Sequence, residues 1–184
     1  NINVNNNLIR RISVEYMTPS ITAYYTNNTK ISHNDISDCP YTGISLGWGW
    51  GRGVINCRDN EISGNKIENV LYKLKDGGHI YSLDIMDGTV VENNYLIKSG
   101  EDKGGIYLDN ATENLLIRNN VFEECPRWLK QTYHNVNGNV AYNNYSEAKF
   151  NVKNPEKNNI EEEIRKQNGQ WPGEAEAIIS SAGL

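Results

Sequence analysis

The residues best suited to chemistry are four aspartates that frame two near-copies of one stretch. The first copy reads Lys75-Asp76-Gly77-Gly78-His79-Ile80-Tyr81-Ser82-Leu83-Asp84, and the second Asp102-Lys103-Gly104-Gly105-Ile106-Tyr107-Leu108-Asp109. Each has a carboxylate, two glycines, an Ile-Tyr strand and a closing carboxylate. Two carboxylates in different environments are the minimum for cleaving an acetal such as a glycosidic bond. One protonates the departing oxygen while the other attacks the carbon or activates water. Such a pair needs a scaffold that brings the two copies side by side.

The scaffold is written in a repeat. Asparagine makes up 28 of the 184 residues, and it recurs in register with apolar residues rather than in low-complexity runs. Aligned on Asn-x-apolar, the units start at Asn7, Asn34, Asn65, Asn94, Asn120 and Asn144, in steps of 27, 31, 29, 26 and 24 residues. Short period-two segments precede most of them, as in Lys30-Ile31-Ser32-His33 and Val90-Val91-Glu92-Asn93, with turn residues between. A unit of two or three short strands cannot bury its apolar face alone, whereas stacked units bonded at ~4.8 Å can. Asn side chains at one corner can then bond up and down the stack, and Asn tolerates the left-handed backbone that a corner needs.

The expected fold is therefore all-β, a right-handed parallel β-helix of about six coils over residues 1–150. Residues 151–184 form a C-terminal cap with short helices at 160–167 and 174–181. An antiparallel sandwich is the competing arrangement, but the Asn-Gly hairpin signals it needs are sparse, Asn137-Gly138 being one. The first coil, residues 1–26, would have an open apolar end. Earlier coils, a partner or end-to-end packing are expected to cover it.

Stacking predicts which side chains meet. With Ile44, Ile80 and Ile106 as inward neighbours, Ser45, Tyr81 and Tyr107 form one outward column. Gly43, His79 and Gly105 flank it on one side, and Gly47, Leu83 and Asp109 on the other. The small residues Gly43, Ser45 and Gly47 would make a bare floor beside Trp48 and Trp50, whose indoles suit the C–H face of a sugar ring. Asp109 shares the outward parity of Tyr107. Asp76 stacks on Asp102 in strict register, seven positions before Asp109. The pair Asp76 and Asp109 therefore cooperates only if the Gly77-Gly78 turn folds Asp76 back, because a straight strand advances ~3.3 Å per residue. The expected substrate contacts are Trp48, Trp50, His79, Tyr81, Tyr107 and Asp102.

Bulk properties exclude other classes. A formal net charge of -5 and a pI near 5.3 leave no basic footprint for nucleic acid or an anionic membrane. No apolar run reaches the ~20 residues of a spanning helix. The start, Asn1-Ile2-Asn3-Val4, is neither a signal peptide nor an initiator Met, as in an excised or mature segment. Cys39, Cys57 and Cys125 are odd in number and lack metal-type spacing. Buried free thiols are the simpler reading, with a Cys39–Cys57 disulfide as the alternative. No metal set and no cofactor are called for.

The motifs resemble a family. Asp-Gly-Gly-x-Ile-Tyr, then Gly-Ile-Tyr-Leu-Asp, preceded by Tyr41-Thr42-Gly43-Ile44-Ser45 with Trp48-Gly49-Trp50-Gly51 and closed by Ala182-Gly183-Leu184, is similar to the catalytic-side coils of bacterial right-handed β-helix glycoside hydrolases. These are the fucosidase, xylanase and xylosidase type of the pectate-lyase-like superfamily, which are longer chains with earlier coils. The resemblance covers residues 27–125 and the C-terminal tail. It implies hydrolysis of a poly- or oligosaccharide outside the cytoplasm, extracellular or periplasmic, with catalytic acids at Asp76 and Asp109. Two alternatives share the fold. A polysaccharide lyase or epimerase would want Ca²⁺ among clustered acids and a Lys or Arg base on the outer face, and the columns above show no clear base. A non-catalytic glycan-binding or structural module would need neither, since fold alone does not decide function.

Overall fold

Each repeat folds into three short strands separated by corners, and successive repeats stack in parallel register. The computed structural model describes residues 1–50, 57–100, 104–132, 134–148 and 156–184. The first coil contains β1 (Ile2–Asn5), β2 (Leu8–Arg10) and β3 (Ile21–Ala23). The second has β4 (Thr29–Ser32), β5 (Asp35–Cys39) and β6 (Ile44–Leu46). The third has β7 (Glu61–Ser63), β8 (Lys66–Val70) and β9 (Gly78–Ser82). The fourth has β10 (Val90–Glu92), β11 (Tyr95–Ser99) and β12 (Gly104–Leu108). The fifth has β13 (Leu116–Arg118), β14 (Val121–Glu123) and β15 (Arg127–Gln131). The sixth adds β16 (Val140–Tyr142) and β17 (Tyr145–Ser146), followed by β18 (Asn159–Ile160) and the helix α1 (Gly173–Ser181).

Every third strand pairs with its equivalent one coil away, giving three parallel sheets that wrap one core. The first sheet is β1-β4-β7-β10-β13-β16-β18, the second β2-β5-β8-β11-β14-β17, and the third β3-β6-β9-β12-β15. The chain is thus a parallel β-helix, right-handed as parallel crossovers are. Inward positions stack like on like. Ile31, Ile62, Val91 and Ile117 line the first sheet, Ile36, Ile67, Leu96 and Phe122 the second, and Ile44, Ile80, Ile106 and Leu129 the third. All are essentially inaccessible to solvent.

The asparagine ladder occupies the corner between the first two sheets. From Asn7 through Asn34, Asn65, Asn94 and Asn120 to Asn144, each Nδ2 donates to the next Oδ1 at 2.8–3.0 Å. Each Oδ1 also accepts the backbone N–H of the preceding rung's Asn. From Asn34 onward, a second Nδ2 bond reaches a carbonyl one coil back, such as Ile62 for Asn94. The left-handed backbone lies one residue earlier than expected, at Asn6, His33, Gly64, Asn93, Asn119 and Asn143, with φ between 51° and 62°. The ladder Asn is kept for its amide, and its predecessor turns the chain. A second, mixed column of Thr29, Asn60, Thr89, Asn139 and Asn158 serves the corner before the first sheet.

The C-terminal region divides its work. Residues 160–167, expected as a helix, are not helical. Asn158 extends the second Asn column, β18 pairs with β16, and the Ile164 N–H bonds the Asn144 carbonyl, so a partial rung is added over the end of the stack. The helix expected near 174–181 is present as α1, but it lies along the flank. Trp171, Ala175 and Ile178 pack on Val121 and Tyr145 of the second sheet's outer face. The Gly183 N–H reaches back to the Gly64 carbonyl at 2.8 Å. One carboxylate anchors this strap: Glu123 accepts from Trp171 Nε1 at 2.7 Å, Lys166 Nζ at 2.8 Å and the Tyr95 hydroxyl. All three cysteines are buried and free.

Candidate functional site

The third sheet carries the expected register. Ser45 pairs with Tyr81, Tyr81 with Tyr107, and Tyr107 with Lys130. Alternation turns this column away from the core. Tyr81 and Tyr107 pack edge-to-face, with ring centroids 5.2 Å apart, and form a small apolar cluster with Leu83 outside the main core. Asp109 follows β12 with the same parity, and the Tyr81 hydroxyl donates to its Oδ2 at 2.5 Å.

Asp76 reaches Lys130, the last residue of this column. The Tyr41 hydroxyl donates to the Asp76 backbone carbonyl at 2.7 Å, and Lys130 Nζ stands 3.6 Å from the Asp76 Oδ1. The same ammonium sits 3.8 Å from the centre of the Tyr107 ring, a cation–π contact. Burial pushes the Tyr107 phenol far above its usual pKa, and the charges of Asp109 and Asp76 and hydrogen bonding to both add to the shift. Tyr81 is driven the same way by burial and by its bond to Asp109. The environments of the two acids differ sharply: Asp109 is 6% exposed, whereas the Asp76 side chain is 81% exposed. Tyr41 lies within the field of both, and burial is the main cause of its raised pKa.

Three expectations need correction. His79 does not face outward. It is wholly buried, its Nε2 meets the Ile97 carbonyl at 3.0 Å, and burial pushes its pKa down to about 4. The chain rounds the corner at Gly77-Gly78, so His79 and Ile80 both enter the core and parity resumes only at Ile80. Its column is interior, with glycines beside bulky groups: a Cβ on Gly105 would lie 2.3 Å from Phe122 Cδ1, and Trp128 in the next rung is fully buried. The bare floor of Gly43, Ser45 and Gly47 is also absent. A Cβ on Gly43 would meet Ile67 at 2.7 Å, one on Gly47 would meet the Leu83 carbonyl at 2.0 Å, and Ser45 is covered, 3.4 Å from the Tyr24 hydroxyl. Finally, the column does hold a cation, Lys130. Aligning Arg127-Trp128-Leu129-Lys130 on Gly104-Gly105-Ile106-Tyr107 would have revealed it, and the weakening of the Gly-Gly motif in that coil obscured it.

Trp48 and Trp50 stand as a partly exposed aromatic group, their rings 4.4 Å apart, with Tyr24 4.9 Å from Trp48. Asp84 is buried at φ 69°, its Oδ1 accepting the Ile85 N–H at 2.9 Å, and so shapes a turn. Asp102 lies outside the described residues. Among the described residues no three His, Cys, Asp or Glu side chains are grouped to hold a metal ion, and no helix is long and apolar enough to cross a membrane.

No family model matches this chain, and no curated protein matches it. A solved structure titled "Glycoside hydrolase" does. It superposes with a TM-score of 0.68 at 26% sequence identity, covering 86% of this chain and 27% of that one. The chain thus spans about a quarter of the length of the structure it resembles.

Proposed function

We propose that this chain acts on carbohydrate as the catalytic part of a glycoside hydrolase, with Asp76 and Asp109 as its paired acids. One observation carries the reading: Lys130 Nζ stands 3.6 Å from Asp76 Oδ1 and 3.8 Å from the centre of the Tyr107 ring, and Tyr107 packs on the Tyr81 phenol that donates to Asp109. The two acids therefore flank one tyrosine pair on the outer face of the third sheet, and paired carboxylates are what glycosidic cleavage requires. The likeness to a structure titled "Glycoside hydrolase" supports the substrate class.

The environments suggest a division of labour. Asp109, with a phenol donating to it, is the acceptor that attacks the anomeric carbon or takes a proton from water. Asp76, at the open rim, protonates the leaving oxygen. Tyr81 and Tyr107 are positioning residues for Asp109, and Lys130, itself over the Tyr107 ring, draws Asp76 by its charge. Trp48 and Trp50 offer stacking faces for a bound sugar. No cofactor is needed. A glycan of this kind is met outside the cytoplasm, so an extracellular or periplasmic location belongs to the same proposal.

The test is release of 4-nitrophenol from a panel of aryl glycosides by the wild type, Asp109→Asn and Asp76→Asn. Loss of turnover with retained binding is expected for Asp109→Asn, and an unchanged rate would remove Asp109 from the mechanism. External azide should restore turnover to Asp109→Ala or Asp76→Ala as a glycosyl azide, whose anomeric configuration reports the role replaced.

Lys130 gives a second reading some footing. A polysaccharide lyase uses an outer-face base to remove the proton beside a uronate carboxylate, and Lys130, on the outward column, would take that proton as its free amine. An unsaturated product absorbing in the ultraviolet, lost in Lys130→Met, would favour it over hydrolysis.

A further inference from the structure

A pocket of about 320 Å³ opens beside Asp109, lined by Trp50, Asn110, Ala111, His134 and Asn135. That is the lower end of the ~300–1,000 Å³ range of small-molecule sites. Asn110 directly follows Asp109, so the pocket lies past the C-terminal edge of the third sheet. Asp76 lies before Gly78, at the opposite edge. The Ala111 N–H bonds the His134 carbonyl at 2.9 Å and holds the two lining turns together. Ala111 and Asn135 both take left-handed backbone, φ 58° and 50°.

The lining chemistry is specific. Among the described residues it combines an indole, two primary amides, an imidazole and a methyl, with no Asp, Glu, Lys or Arg. Asn110 Oδ1 is buried and no donor among the described residues reaches it. An unmet buried acceptor costs about 1–3 kcal/mol, so a group that serves no bond of the fold is retained at a cost. A rotation of the Asn110 side chain would present that oxygen to a ligand hydroxyl in the pocket. Amides and an imidazole that bond hydroxyls, beside an indole face, match an uncharged sugar ring rather than a uronate or a phosphate.

We infer that this pocket is a subsite for one uncharged sugar unit, on the side of the scissile bond away from the leaving group. The assignment of sides rests on the hydrolase reading, in which Asp76 protonates the leaving oxygen at the opposite edge.

The experiment compares the wild type with Asn110→Ala and His134→Leu. The probes are matched one- and two-unit substrates: 4-nitrophenyl β-xyloside and β-xylobioside, β-galactoside and β-lactoside, β-glucoside and β-cellobioside. Binding of xylobiose, lactose and cellobiose is measured by calorimetry. The expected result is a loss of roughly tenfold, about 1.4 kcal/mol, in disaccharide affinity and in kcat/KM for the matching two-unit substrate, with the one-unit substrate unchanged. Asn110→Ala should keep or raise the melting temperature, which an amide serving the fold would not allow. Equal loss on both substrate lengths, or none, overturns the subsite and leaves the hydrolase reading standing. Pocket-dependent disaccharide binding with no cleavage of any probe keeps the sugar site and overturns the hydrolase reading. Failure of the wild type to bind any of the three disaccharides overturns the subsite.

Discussion

Tyr81 and Asp109 belong to adjacent coils, yet the phenol donates to the carboxylate at 2.5 Å. The bond exists because Tyr81 pairs with Tyr107 across the sheet, two residues before Asp109. It ties the proposed acceptor to the floor of the stack, and removing the phenol leaves a carboxylate that is 6% exposed without this donor. Tyr81→Phe should lower kcat by about 10–100-fold through lost positioning, about 1.4–2.7 kcal/mol at the barrier. KM should change little. Steady-state kinetics on the best aryl glycoside checks this, and a KM effect with constant kcat would reassign Tyr81 to substrate binding.

The raised tyrosines predict alkaline behaviour. Their folded pKa values lie above the unfolded value of ~10, so the neutral phenols favour the folded state. That stability is fully present below about pH 10 and drains away as pH rises further. Thermal melts from pH 8 to 12 should fall steeply above about pH 10. Phenolate absorbance from Tyr81 and Tyr107 should appear only with unfolding, and Tyr81→Phe should flatten the fall.

His79 predicts the acid side. Burial holds its folded pKa down to about 4, below the unfolded ~6.5, so the neutral ring favours the folded state. The contribution is present above about pH 6.5 and is lost as pH falls toward 4. In His79→Gln, which can keep a donor toward the Ile97 carbonyl, stability should depend less steeply on pH across that window. An identical slope in urea titrations would show that other groups govern acid unfolding.

The ladder should be unequal along its length. Asn94 bonds Asn120 and the Ile62 carbonyl, and accepts from Asn65 through both its N–H and its side chain. Asn94→Ala strands buried donors and acceptors at about 1–3 kcal/mol each, so a loss of about 3 kcal/mol or more is expected. Asn7, exposed at the first rung, should cost under about 1 kcal/mol. Urea midpoints decide, and equal losses would mean that the ladder is not cooperative.

The flank strap should matter to stability and not to chemistry. Trp171 covers Val121 and Tyr145 on the second sheet, whereas the acid pair is on the third. Trp171→Ala should destabilise by about 3–5 kcal/mol, as large core truncations do. Turnover below the melting range should be unaffected, and a change in kcat at constant fold would reveal coupling between the two faces.

The sequence by itself determined the repeat, the ladder and the inward Ile column, because stacking makes each coil solve the same packing problem with the same residue types. Register then determined that Tyr81, Tyr107 and Asp109 would adjoin. Only the tertiary structure decided what lies at the corners. Parity is reliable along a straight strand and fails through a turn, so His79 went inward and Asp76 came within 3.6 Å of Lys130. Gly43 and Gly47 are small because a neighbouring chain presses on them, which composition cannot distinguish from an open floor. The C-terminal helix shows the same limit: its existence is local, but the face it covers depends on Val121 and Tyr145, some 30–50 residues earlier in the chain. The pocket at Asn110 and His134 joins two turns that no motif links, brought together by the stacking of one coil on the next.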